Sequence, residues 1–142
     1  MIDELKQVYK TEAEKALKQL DASIKVLNKD PNSQKEIFNF YRAAHTLKGS
    51  SFQMGFYSIG YISHLICDML KEIKVKKIKL NKEKVAFLED FRGTLKKAVA
   101  TRLSDNKFKP NQDIFKKIDL VLEKSEKEKF QKFETKIRDE DN

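Results

Sequence analysis

Apolar side chains recur at steps of three and four residues along almost the whole chain, and no other feature limits its fold so tightly. In the first stretch they fall at Ile2, Leu5, Tyr9, Ala13, Ala16, Leu20, Ile24 and Leu27. That spacing draws one stripe along a helix, whereas a strand would need alternation by two. The opposite face carries Glu4, Lys6, Glu12, Glu14, Lys15 and Lys18. Asp30-Pro31 closes the segment, because the residue before a proline is pushed out of helical geometry.

The pattern then repeats. Ser33 and Glu36 form an S-x-x-E capping box at the start of a second helix. Its inward stripe is Ile37, Phe40, Ala44, Leu47, Ser51 and Met54, and Gly55 is a natural C-terminal stop. A third helix is expected over about residues 57 to 74, with Ile59, Ile62, Ile66, Met69 and Ile73 inward. The short break at Gly55 makes helices two and three antiparallel neighbours. The segment KEIKVKKIKL, Lys71 to Leu80, reads as a basic connector, since its alternation has no second strand to pair with.

Asn81 is an expected N-cap, with Leu80 and Val85 placed as a hydrophobic staple. Helix four runs through Val85, Leu88, Phe91, Leu95, Val99 and Leu103, and SDNKFKP is the next loop. A fifth helix is expected from Asn111 through Ile114, Phe115, Ile118, Val121 and Leu122. Beyond Glu123 the chain is mostly charged, though Phe130, Phe133 and Ile137 keep helical spacing. The expectation is all-α: an up-and-down four-helix bundle with an additional fifth C-terminal helix. Residues 1–122 would form the bundle and 123–142 a charged helical extension or tail.

Composition agrees, with only 4 Gly and 2 Pro in 142 residues and 37% charged side chains. A single cysteine offers no internal disulfide. The N-terminal MIDELKQVYKTEAEK lacks the apolar run of a signal peptide, and no apolar run nears the roughly 20 residues that span a bilayer. A soluble cytoplasmic protein, without a membrane role, is therefore expected. The net charge of +8 raises the question of nucleic acid. The lysines, however, are spread over nearly every segment among 22 acidic residues, so no dedicated nucleic-acid stripe is expected.

The stretch YRAAHTLKGSSFQMG, Tyr41 to Gly55, carries the chemistry. On a helix it sets His45, Lys48 and Gly49 on adjoining turns. On a helical wheel His45 lies more than a quarter-turn from the apolar stripe. An imidazole is largely unprotonated at about pH 7 and so presents a nucleophilic nitrogen. Lys48 supplies a cation one turn on, and Gly49 leaves clearance for an approaching partner. Phe38, Phe52 and Phe56, with Arg42 at the margin, form a patch beside the histidine that another protein could cover. The competing reading is a structural histidine with a chance lysine neighbour. KGSS is no phosphate-cradling loop, because its order and spacing are wrong and it lies within a helix.

These residues resemble the family of histidine-containing phosphotransfer (HPt) domains, including the N-terminal domain of chemotaxis histidine kinases, whose motif reads much like RAAHTLKGS. The similarity covers about residues 2 to 105 in layout and Tyr41 to Phe56 in specific residues. It implies His45 as phosphoacceptor through Nε2, Lys48 as the group that stabilises phosphoryl charge, and Gly49 as the clearance residue. It implies a response-regulator receiver domain and a histidine kinase, hybrid kinases included, as partners. No cofactor of its own and no ATP site are implied, with Mg²⁺ held by the receiver. Phe38, Arg42, Phe52 and Phe56 would dock that partner. The fifth helix resembles the extra helix of the chemotaxis-kinase version.

One position departs from the pattern. Family members often carry Glu or Gln on the third helix, twenty-two places after the histidine, to orient its ring; here Cys67 stands there, a weak hydrogen-bonding group. Asp68 or His64 could substitute, and the wheel does not choose between them. His45, His64 and Cys67 give three metal donors without an obvious fourth, so no metal site is expected. Cys67 has no resolving cysteine and is not expected to be a redox thiol. The departure motivates an alternative: a non-catalytic interaction module, a degenerate HPt domain that binds a receiver or kinase without transfer.

Overall fold

The structure, a computed structural model, describes residues 3–104. Four helices make up this part: α1 (Asp3–Lys29), α2 (Gln34–Gln53), α3 (Tyr57–Val75) and α4 (Lys82–Leu103). Each packs on its neighbours in chain order, and α4 closes the ring against α1. With connections of three to six residues, this is an up-and-down bundle. The expected fifth helix and the division at residue 122 lie outside the described residues, as does Ile2.

The apolar stripes meet at the centre. Leu20 and Leu27, Phe40 and Leu47, Ile59, Ile62 and Ile66, and Leu88, Phe91 and Leu95 are fully buried. Tyr9 joins them, its hydroxyl sharing a 2.9 Å hydrogen bond with Ser51 Oγ. Burial pushes the Tyr9 phenol up to about 12, against the opposing pull of the Ser51 bond and of Arg102. Outside the core, the Asp21 carboxylate accepts hydrogen bonds from Arg92 (3.0 Å) and Lys96 (3.3 Å), joining α1 to α4. These pairs are part-exposed, so each is worth under about 1 kcal/mol.

Both predicted N-caps form. Ser33 Oγ accepts from the Glu36 amide at 3.4 Å, and Asn81 Oδ1 accepts from the Lys84 amide at 2.9 Å. The Ser33 box is half closed, because the Ser33 amide donates to the Asp30 carbonyl and the Glu36 carboxylate accepts from Asn39. Leu80 and Val85 are both buried, as a staple requires.

Helices α2 and α3 end in the same way. After α2 the amides of Gly55 and Phe56 donate to the Phe52 and Ser51 carbonyls. After α3 the amides of Lys77 and Ile78 donate to Lys74 and Ile73. Each set is a Schellman motif, with a left-handed residue at its hinge. Gly55 takes φ +74° and Lys77 φ +54°.

Three expectations need correction. The first half of Lys71–Leu80 is helical, since α3 runs on to Val75 and stops only at the Lys77 hinge. Leu5 is 54% exposed instead of buried. Tyr9 already meets Ser51 and Phe56 at the last turn of α2, so the turn carrying Leu5 lies beyond the packing it would need. Phe56 is buried, and so is not part of an exposed patch. It follows the helix end, where the α2 wheel no longer applies, and the Schellman turn folds it inward. There its ring meets Tyr9 edge-on at 5.1 Å and lies 5.2 Å under the Arg102 guanidinium.

The two hinges predict opposite responses. A Cβ at Gly55 would meet no heavy atom within 4 Å, so Gly55→Ala should cost about 1 kcal/mol through backbone strain alone. Lys77→Gly should instead gain a few tenths to about 1 kcal/mol by relieving the same strain. Urea unfolding followed by circular dichroism measures both.

Candidate functional site

The core stripe of α2 decides where its other residues point. With Ile37, Phe40, Ala43, Ala44, Leu47 and Ser51 buried, His45 and Gly49 are exposed on the outer face and Lys48 is half-buried beside them. A Cβ at Gly49 would find open space. Tyr41, one turn before His45, holds its ring 6.0 Å from the imidazole. Phe38 is 51% exposed, stacks on Tyr41 and lies under the Arg42 guanidinium at 5.8 Å. Of the expected phenylalanine patch, Phe38 is therefore on the surface. Phe52 is half-buried: its ring packs edge-on against Tyr61 at 5.1 Å and covers Gly60, where a Cβ would come within 2.7–2.9 Å of ring carbons. That contact explains why position 60 is a glycine.

Helix α3 supplies the adjoining wall. Cys67 is 1% exposed, and its Sγ lies 3.9 Å from the Tyr41 carbonyl oxygen, a weak thiol contact with the backbone of the turn that leads to His45. Burial pushes its thiol up to about 11, with nearby Lys48 pulling the other way, so the group is protonated at neutral pH. Asp68 is drawn to His64, whose Nε2 lies 3.3 Å from its carboxylate. Among the described residues, none hydrogen-bonds the His45 ring; the three considered for orienting it engage Tyr41 or one another. The reason is direction: Cys67 faces the core, and His64 and Asp68 are paired along their own helix.

His64 is half-buried. Burial holds its pKa below the ordinary value, Asp68 opposes this, and the cations Lys48 and Lys71 add to the lowering. Desolvation outweighs the ion pair because Asp68 is itself partly in water. Two contributors escaped the sequence reading: Tyr41, detectable as the residue four before His45, and Lys71, whose Nζ lies 5.9 Å from the Tyr41 ring. Among the described residues, no group of three His, Cys, Asp or Glu side chains converges as a metal site would need. No helix among them is long and apolar enough to cross a membrane.

The arrangement is an exposed imidazole on a rigid helix, with a cation one turn away and an open approach. The Hpt domain model matches residues 4–105, and the chain belongs to that family. It is similar to the chemotaxis protein CheA of Borreliella burgdorferi, 32% identical over 101 residues, which are 71% of this chain and 12% of the relative. CheA of Treponema pallidum is 32% identical over 76 residues, 54% of this chain and 9% of the relative. The chain thus spans only about a tenth of these relatives' length. Among solved structures, the phosphorylated P1 domain of CheA3, crystallised with CheY6 of R. sphaeroides, superposes with a TM-score of 0.68. It covers 85% of this chain and all of that one, at 21% identity, and so shares the fold.

The His64 pair generates a pH prediction. Its folded pKa is lowered, so the unfolded chain binds the proton more tightly and stability falls as pH drops below roughly 6.5. His64→Gln should flatten that fall. Urea midpoints between about pH 7.5 and 5 for both proteins measure it.

Proposed function

We propose that the chain is a phosphoryl carrier of two-component signalling. His45 accepts a phosphoryl group from a histidine kinase, hybrid kinases included, or from a receiver aspartate, and passes it to a receiver aspartate in the cytoplasm. The observation that carries this reading is the exposed His45 with Lys48 and an unobstructed Gly49 on the outer face of α2. The P1 domain that shares this fold was captured phosphorylated and bound to a CheY partner, which supports the same use here.

In transfer from a receiver, the lone pair of His45 Nε2 attacks phosphorus, an N–P bond forms, and the O–P bond of the aspartyl phosphate breaks. The aspartate leaves as carboxylate. Mg²⁺ bound by the receiver would supply positive charge to the phosphoryl group, and Lys48 adds positive charge on the carrier's side. Phe38, Arg42 and the exposed edge of Phe52 make the docking surface. Gly49 fits this role because helix stability argues against it: glycine within a helix costs about 1 kcal/mol relative to alanine. The surrounding space would accept the methyl group.

Cys67 favours a second reading, a degenerate module that binds a receiver without transfer. A buried neutral thiol aimed at the Tyr41 carbonyl gives the imidazole no orienting partner.

Incubation with a phosphorylated receiver and Mg²⁺ separates the two. Acid-labile, alkali-stable label should appear on the wild type and vanish in His45→Gln. Lys48→Gln should slow transfer by roughly a hundred-fold with the fold intact. Gly49→Ala should raise stability by up to about 1 kcal/mol while slowing transfer. Wild type that binds receivers yet stays unlabelled would establish the module instead.

A further inference from the structure

An open groove of about 630 Å³ runs between the first half of α2 and the last turns of α3. Its floor is apolar, made by Ile37, Leu70 and Ile73 at the edge of the core. Phe38 and Tyr41 form one wall and Ile78 the other; Phe38 is 51% and Ile78 38% exposed. The rim carries Lys71, Lys74, Lys77 and Lys79, and among the described residues no Asp or Glu lines the groove. The nearby Glu72 carboxylate is engaged by Lys76 at 3.4 Å. Among the described residues, none of the four rim lysines forms an ion pair. Lys74 lies in the last turn of α3, where a cation suits the helix dipole. Lys77 and Lys79 follow the helix and have no such task.

We propose that this groove docks an acidic amphipathic helix of a partner protein. An apolar floor bordered by lysines complements a helix with an apolar stripe and carboxylates on its flanks. The alternatives fit less well. Nucleic acid would bring phosphates over the apolar side chains of Ile37, Leu70 and Ile73. A flat bilayer cannot enter a concavity. A small amphiphile with one headgroup would engage one or two of four lysines that are strung over nine residues. The groove shares Phe38 with the docking surface of the His45 centre and ends at Tyr41, whose ring lies 6.0 Å from that imidazole. A docked helix would therefore hold its parent protein beside the histidine. The inference does not depend on phosphotransfer.

The test uses the full chain and a fluorescent peptide of roughly 18 residues, about 27 Å long as a helix. Leucines at i, i+3, i+4 and i+7 form its stripe and glutamates its flanks. Anisotropy should show saturable one-to-one binding that weakens with salt. Lys74→Glu/Lys77→Glu/Lys79→Glu and Ile78→Asn should each weaken it about ten-fold or more, while His45→Gln leaves it unchanged. Should the triple variant lose helicity, the corresponding triple glutamine variant carries the same expectation. Equal binding of a scrambled peptide of the same composition would overturn the proposal. So would variants that bind like wild type, or tighter binding to phosphatidylserine vesicles or duplex DNA.

Discussion

Everything at the site follows from the packing of α2, which is gripped on two sides and free on a third. Its neighbours α1 and α3 hold Phe40, Ala44 and Leu47 fully buried. A one-residue rotation about the helix axis, enough to swing His45 toward a neighbour, would bring large apolar groups into water. Each such group is worth roughly 2 kcal/mol. The direction of the imidazole is thus enforced from behind, by residues that never touch a partner. A carrier needs that rigidity, because transfer relies on geometry more than on reactive groups of the carrier.

The environment at position 67 bears on this division of labour. A carboxylate there would have to be charged against a nearly dry wall, with Lys48 as its compensating neighbour. Cysteine avoids that desolvation and places no countercharge beside Lys48. The cost falls on ring orientation, now left to packing beside Tyr41.

Helices were legible wherever one face had to be buried and the caps used side chains. Ser33, Asn81 and the stripes of α2 and α4 depend only on local spacing and local hydrogen bonds. So did the outward aim of His45. Phe56 was illegible because a helical wheel ends where the helix does, and its burial arises from a turn geometry acting on the residue after. Leu5 failed for a related reason: periodicity shows which face is apolar, not where the neighbouring helix stops. The end of α3 was obscured because a lysine, not a glycine, occupies the left-handed hinge. Pairing of His64 with Asp68 follows from i,i+4 spacing, but its electrostatic balance depends on Lys48, a residue of another helix.

Cys67 has one practical consequence. It is the chain's single cysteine, it is shielded from solvent, and its thiol stays protonated at neutral pH. Maleimides and similar reagents attack thiolates, so the native chain is nearly silent toward them. A cysteine introduced at any exposed position would take up a spin label or fluorophore alone, without first removing the natural one. The motions of this bundle can therefore be followed by spectroscopy one site at a time, with the wall behind the histidine unaltered.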